Sequence, residues 1–239
     1  QEQNSYPGIT TRKLHNRVNS ICIAYESANT YLSNKGKVLG NPIRQDLKVY
    51  PKEKARKSLG LSTKAPVILI IGGSQGSAPI NNHFINNHKQ YTQNKIQLLW
   101  QCGKNNTKIK HEVNVDGISI KPFINNMGLA YSAADIVISR AGALAIEELK
   151  LLGKPMILIP FPFAANNHQY FNALELSEKK AAILIKQHNL DNGELERIIF
   201  DIIKDKNKLN LLSKNAREMS FPNANKNITK LVMDTINNV

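Results

Sequence analysis

The sequence predicts an α/β fold, a doubly wound parallel sheet with helices on both faces. Three observations carry that expectation. Short runs rich in Ile, Val and Leu alternate with helix-like segments from residue 65 to about residue 204. The runs are apolar at successive positions, as in Val67 to Ile71, so both faces of each strand are set to be covered. Glycine or proline stands at several of the joints, where the chain must turn between a strand and a helix.

Taken in order, Ser20 to Glu26 and Lys37 to Leu39 read as two early strands, followed by the breaker Gly40-Asn41-Pro42. Residues 1–45 are therefore expected to be the end of an earlier domain with its linker, and residues 46–220 the main domain. Within the latter, Val67 to Ile71, Ile96 to Cys102, Ile118 to Ile120, Asp135 to Ser139, Pro155 to Ile159 and Ala182 to Ile185 read as strands. Residues 77–90, 104–113, 127–134, 142–152 and 167–180 read as the helices between them. Beyond residue 204 the pattern is helical and charged through Arg217, then Phe221-Pro222 breaks it. Residues 223–238 read as a last amphipathic helix, within a third unit over residues 221–239.

Composition narrows the class. With 239 residues and 41% hydrophobic content, the chain can bury a proper core, which excludes a disordered tail or a fibre. No run of about 18 apolar residues is present to span a bilayer, and Glu2, Arg12, Lys13 and Arg17 occupy the place of a signal peptide's apolar block. Cys22 and Cys102 lie far apart, outside any metal-ligand or redox spacing, and read as buried thiols of a reducing compartment. A net charge of +14 favours an anionic partner: nucleic acid, a phosphate-bearing substrate or an acidic membrane surface. The basic residues are scattered singly and in pairs, and aromatic content is only 6%, which argues against a nucleic-acid-binding protein. Gln1 in place of Met, in a polar stretch, reads as a start inside a longer polypeptide.

Three loops could carry chemistry, and all three follow strands. The first is Gly72-Gly73-Ser74-Gln75-Gly76, where a strand runs through glycines into a helix whose free N–H groups suit phosphate. Its spacing matches neither the dinucleotide fingerprint nor the P-loop, so a purely structural turn stays open. The second is Arg140-Ala141-Gly142-Ala143-Leu144-Ala145, whose small residues leave a helix start bare, with Glu148 further along. A carboxylate so placed matches the two hydroxyls of a ribose. A solvated helix residue is the plainer alternative for Glu148. The third is Pro160 to Asn172, where Asn167, His168, Gln169 and Asn172 offer the mixed donors and acceptors that sugar hydroxyls require. Open α/β sheets bind ligands at the carboxyl edge, where all three loops lie.

These loops belong to a wider set in fixed order: Glu2-Gln3-Asn4, Gly40-Asn41-Pro42-Ile43-Arg44, Gly72 to Gly76, Phe123-Ile124 with Met127, Arg140 to Leu144, Glu148, Pro160-Phe161-Pro162, and His168-Gln169 with Asn172-Ala173. The set resembles the MurG family of bacterial glycosyltransferases and runs along nearly the whole chain. The resemblance implies a fold of the GT-B type, two Rossmann-like domains with the active site between them. It implies transfer of N-acetylglucosamine from UDP-N-acetylglucosamine to lipid I, undecaprenyl-pyrophosphoryl-N-acetylmuramoyl-pentapeptide, to form lipid II for peptidoglycan. No cofactor or metal is implied, and the location is the cytoplasmic side of the inner membrane, held peripherally at an anionic surface.

Carried over residue by residue, the resemblance puts Asn4 and Arg44 at the interdomain cleft, with Arg44 meeting the nucleotide's charge. It gives Ser74 to phosphate, the Ile124 backbone to uracil, the amides of Ala143, Leu144 and Ala145 to the diphosphate, Glu148 to the ribose and Gln169 to the sugar. Three residues depart from the family pattern: Gln1 stands for a His, Asn125-Asn126 for an acidic pair and Ala145 for a Thr. The Gly-Gly-x-Gly-Gly-His loop that carries the family's proposed base is not in this sequence, so the catalytic residue is unassigned and these residues alone are expected to transfer nothing. A donor-binding remnant without catalysis is the alternative.

Overall fold

A computed structural model describes residues 1–237 of the chain. The first part contains a short helix α1 (Ile9–Leu14), strand β1 (Ile21–Ile23), a 3-10 turn over Glu26–Tyr31 and strand β2 (Gly36–Val38). β1 and β2 pair in parallel, Ile21 opposite Gly36 and Ile23 opposite Val38. Ile21, Ile23, Ala28 and Leu32 form a small core of their own there.

The main body continues with α2 (Lys52–Ser58), β3 (Val67–Ile71), α3 (Ala78–Gln93), β4 (Gln97–Gln101), α4 (Ile109–Glu112) and β5 (Ile118–Lys121). After these come α5 (Met127–Ala133), β6 (Ile136–Ser139), α6 (Ala143–Leu152), β7 (Met156–Leu158), α7 (His168–Glu178) and β8 (Ile183–Leu184). The chain closes with α8 (Glu194–Ile202), α9 (Lys206–Glu218) and α10 (Ala224–Asn237). Strands β3 to β8 form one parallel sheet in the order β5-β4-β3-β6-β7-β8. From β3 the chain winds outward through β4 to β5, and from β6 it winds the other way to β8. The winding direction reverses between β3 and β6, which opens a crevice at their carboxyl ends.

Alternation along the strands builds both cores. In β3, Val67, Leu69 and Ile71 face one side, packing with Leu99, Tyr131, Val137 and Leu149. Ile68 and Ile70 face the other, against Phe84, Trp100, Ile138 and Ile199. Every residue of β3 is buried, as a parallel sheet covered on two sides requires.

The differences from the expected elements have local causes. The expected helix over residues 104–113 shrinks to the four residues of α4, because Gly103 at φ 100° opens a turn and the polar residues after it have no core to face. The expected strand Ser20 to Glu26 is three residues long, since Glu26 already starts the 3-10 turn. Helices α1 and α2 were not apparent in the pattern: α1 buries none of its residues, and α2 buries only Ala55 and Arg56. Helix α8 lies outside the elements that the sequence pattern predicts. Of the expected last helix, residue 238 lies outside the described residues.

Candidate functional site

A cavity of about 410 Å³ opens at the β3/β6 reversal. Gly73 and Ser74 line it from the loop after β3, Gln101 from the end of β4, and Phe123, Ile124 and Asn125 from the loop after β5. Leu144, Ala145 and Glu148 reach it from α6, and Pro42, Ile43 and Arg44 from the segment that follows β2. Of the sequence-predicted residues, Arg44, Ser74, Ile124, Leu144, Ala145 and Glu148 therefore meet in one cavity. Ala143 stands at the first position of α6, beside Leu144.

Helix α6 begins without a side-chain cap. Gly142 occupies the cap position in an extended conformation, and the first intrahelical bond of this end is Ile146 N–H to the Gly142 carbonyl at 3.0 Å. The amides of Ala143, Leu144 and Ala145 thus point out of the helix without intrahelical partners, at the end where the helix dipole is positive. A Cβ on Gly142 would meet nothing within 4 Å, so the space in front of these amides is open.

The glycines of the first loop divide into two roles. Gly76, at φ 79°, packs so closely on the next loop that an added Cβ would lie 2.0 Å from the Cys102 carbonyl oxygen. Gly73, at φ 92°, faces open space at the cavity. The first holds the loop's shape; the second leaves room for a ligand.

Among the described residues, the two charged side chains that line the cavity are bound to each other. Arg44 Nε donates to Glu148 Oε1 at 2.9 Å, and the Tyr131 hydroxyl donates to Glu148 Oε2 at 3.0 Å. Arg44 is 45% exposed and Glu148 only 10%, so the carboxylate is the fixed member and the guanidinium the movable one. Burial, and then the Glu148 charge, hold the Tyr131 phenol well above its ordinary value, which keeps it a donor.

Several positioning groups have no signal in the sequence pattern. Gln101 takes the Ile124 N–H at 2.8 Å through its oxygen and gives its amide to the Gly73 carbonyl at 3.0 Å, tying two cavity loops together. The Ile124 N–H is thereby used, and its carbonyl is what it can offer a ligand. Arg140 donates to the carbonyls of Ile159 and Pro160, each at 3.1 Å, and to Ser77 Oγ and Gln187 Oε1, each at 2.7 Å. One guanidinium, at the start of the second loop, so fastens the end of the first to the start of the third. Burial lowers it to about 10, which leaves it cationic at neutral pH.

Three predicted residues lie outside the cavity lining: Ala143, which adjoins it at the start of α6, Asn4 and Gln169. Asn4 accepts from Asn172 Nδ2 at 3.0 Å, and Asn172, fully buried, also takes the Ser5 N–H at 2.9 Å and donates to the Ala141 carbonyl at 3.3 Å. Asn4 thus fastens residues 1–45 to the second loop. Gln169 accepts the Phe161 N–H at 3.0 Å and shapes the third loop. None of the six histidines lines the cavity. Both cysteines are free and buried, as their surroundings in the sequence suggested.

A doubly wound α/β domain with a ligand crevice at its switch point, bare helix amides on one wall and a carboxylate beside them is the class this geometry gives. The chain belongs to glycosyltransferase family 28: residues 67–228 match the family's C-terminal domain. It is 39% identical over 240 residues to the UDP-N-acetylglucosamine--N-acetylmuramyl-(pentapeptide) pyrophosphoryl-undecaprenol N-acetylglucosamine transferase of Cytophaga hutchinsonii, covering 99% of this chain and 65% of that protein. The enzyme of the same name from Acetivibrio thermocellus is 37% identical, covering 99% and 66%. Among solved structures, Acinetobacter baumannii MurG superposes with a TM-score of 0.78 at 28% identity, covering 98% of this chain and 66% of that one. The fold is accordingly that of the GT-B glycosyltransferases, with the Rossmann-like C-terminal domain as its main body. The chain spans about two thirds of the length of these curated relatives.

Proposed function

We propose that the cavity holds UDP-N-acetylglucosamine, and that these residues form the donor-binding part of a transferase moving N-acetylglucosamine onto lipid I to give lipid II. The observation that carries this reading is the convergence, at the sheet's reversal point, of the uncapped start of α6, the glycine loop and the Arg44–Glu148 pair. In this reading the diphosphate takes the amides of Ala143, Leu144 and Ala145 together with the Ser74 hydroxyl, and uracil takes the Ile124 carbonyl. The ribose diol takes Glu148, and Gln169 with its loop borders the sugar. As the diol arrives, Arg44 leaves the carboxylate and turns to the diphosphate.

The chemistry that follows is an inverting displacement. The acceptor's hydroxyl attacks the anomeric carbon, a base takes its proton, and UDP departs with the bonding electrons. Charge grows on the leaving diphosphate in that step, and the α6 amides with Arg44 are aimed where it grows. In this reading they take the part a divalent cation plays in other glycosyltransferases. No histidine lines the cavity, so residues 1–239 alone are expected to bind donor without transferring it. The reading divides the chain into residues 1–45, 46–220 and 221–239, the last helix returning toward an acceptor-side domain. Among the described residues no helix is long and apolar enough to cross a membrane. A peripheral, salt-reversible hold on the anionic cytoplasmic face of the inner membrane fits the +14 charge.

Calorimetry with UDP and UDP-N-acetylglucosamine tests the proposal. Heat of binding is expected for both, and Glu148→Ala should weaken UDP more than its 2′-deoxyribose analogue. A folded sample that gives no heat at about millimolar ligand, or a Glu148→Ala that weakens both nucleotides equally, overturns it.

A further inference from the structure

On the opposite edge of the sheet, at the amino ends of β3, β6 and β7, lies a second groove of about 510 Å³ that the donor reading does not use. Its charge is one-sided. Lys52 and Arg56 reach it from α2, Lys64 from the turn before β3, and Lys154 from the turn before β7. Lys206 and Arg217 close it from α9. Asp135 is the single carboxylate in the lining, and its capacity is taken. Asp135 Oδ1 pairs with Lys52, while Oδ2 accepts from Arg56 Nη2 at 2.5 Å and from the Val67 N–H at 2.7 Å.

The remaining cations have no carboxylate to meet. Lys64, Lys154, Lys206 and Arg217 form no ion pair among the described residues. Lys154 gives one N–H to the Ala134 carbonyl at 3.1 Å and has two more to offer. Arg217 lies across Gly153, where a Cβ would stand 2.1 Å from its Nε, so the glycine at φ 58° lets the guanidinium settle on the groove's lip. It donates once, to the Leu152 carbonyl at 3.4 Å, leaving the rest of its fork open.

We infer that this groove binds a phosphorus oxyanion carrying two or more charges, a polyphosphate or a phosphomonoester headgroup, held by Lys154, Lys206 and Arg217. The state of Lys154 agrees. Burial first, then the Lys52 charge, with Arg217 and Arg56 adding and Asp135 opposing, bring its amine down to about 8. Lys64 and Lys206 line the same groove, and among the described residues no carboxylate besides Asp135 does. A half-buried cation with a carbonyl but no carboxylate in contact is a group that a bound anion would stabilise.

The test uses the whole chain at low salt with UDP present throughout, so that the donor cavity is occupied. Inorganic pyrophosphate is titrated near pH 8 in two buffers of different ionisation enthalpy, and phosphatidylcholine vesicles with and without phosphatidic acid are tested by flotation. Pyrophosphate binding with proton uptake, weakened about tenfold or more in Lys206→Gln/Arg217→Gln, supports a soluble oxyanion. Flotation with phosphatidic acid alone, lost in the same variant, supports a headgroup. Both replaced side chains are exposed, and an unchanged melting temperature keeps the comparison free of folding effects. Binding by neither probe, or equal binding by wild type and variant, overturns the inference.

Discussion

Tyr131→Phe removes one oxygen atom and leaves the shape of the core intact. Tyr131 is 2% exposed, and its ring packs in the core between α5 and the sheet while its hydroxyl reaches Glu148 Oε2 at 3.0 Å. A hydrogen bond to an ionised group is worth about 1.5–3 kcal/mol, and stranding a buried acceptor costs a similar amount. Glu148 borders an open cavity, so water can take the lost donor's place and the lower end applies, about 1–2 kcal/mol. Urea denaturation should show that loss as a lower midpoint at unchanged slope. The same change frees the carboxylate to rotate. With one of two ribose hydrogen bonds misaligned, UDP should bind about five- to tenfold more weakly, while the 2′-deoxy analogue loses less. A variant with wild-type midpoint and wild-type UDP affinity would refute the claim that Tyr131 holds Glu148 in place.

Gly76→Ala puts a side chain at φ 79° and 2.0 Å from the Cys102 carbonyl, and should cost about 2 kcal/mol or more of stability in urea; a loss near zero means the loop relaxes freely. Arg140→Lys keeps the charge but cannot span its four acceptors, so about 2 kcal/mol of stability and most UDP affinity should go. Calorimetry and thermal melting check both effects, and an unaffected UDP titration would free the three loops from that clamp. Lys154→Met tests the buried amine. Its folded value of about 8 lies below the ordinary 10.5, so between these values the unfolded chain binds more protons and wild-type stability gains as pH rises. The variant should lack that gain and be more stable at neutral pH by up to about 3 kcal/mol. Parallel pH dependences for the two proteins, from about pH 7 to about pH 10, would sink this reading.

The sheet was legible because its strands are apolar on both faces, a pattern that Val67 to Ile71 and Ile136 to Ile138 display without interruption. Helix α2 was not, because one of its two buried residues is Arg56, whose guanidinium is satisfied by the Ala133, Thr63 and Ala65 carbonyls and by Asp135. An arginine buried by backbone carbonyls looks like surface in a sequence. The candidate site shows the same division. Its glycine loop, small-residue helix start and Glu148 announce themselves by residue type and position after a strand. Gln101, Tyr131 and the reach of Arg140 do not, since their partners lie between 17 and 63 residues away in the chain. Asn4 came from the resemblance alone, and the bond its side chain accepts from Asn172, 168 residues away, has no signal in the sequence pattern either.

The pairing of Arg44 with Glu148 has a consequence for how fast and how selectively the cavity fills. Paired with each other, the two charged side chains of the cavity lining largely cancel, so the attraction for an anion there comes chiefly from the α6 amides and the +14 of the whole chain rather than from Arg44. Arg44 itself should contribute little to steering a dianionic ligand, so Arg44→Gln should leave the ionic-strength dependence of the association rate nearly unchanged. Entry is instead a matter of exchange. On the proposed reading, hydroxyls displace the guanidinium before the guanidinium meets phosphate. A phosphate without a vicinal diol finds the arginine occupied, and a nucleoside without phosphate displaces it with no new partner for it to reach. On the proposed donor-binding reading, the pair would act as a coincidence detector that admits a molecule carrying both groups at the right separation, with discrimination achieved by an interaction the ligand must break.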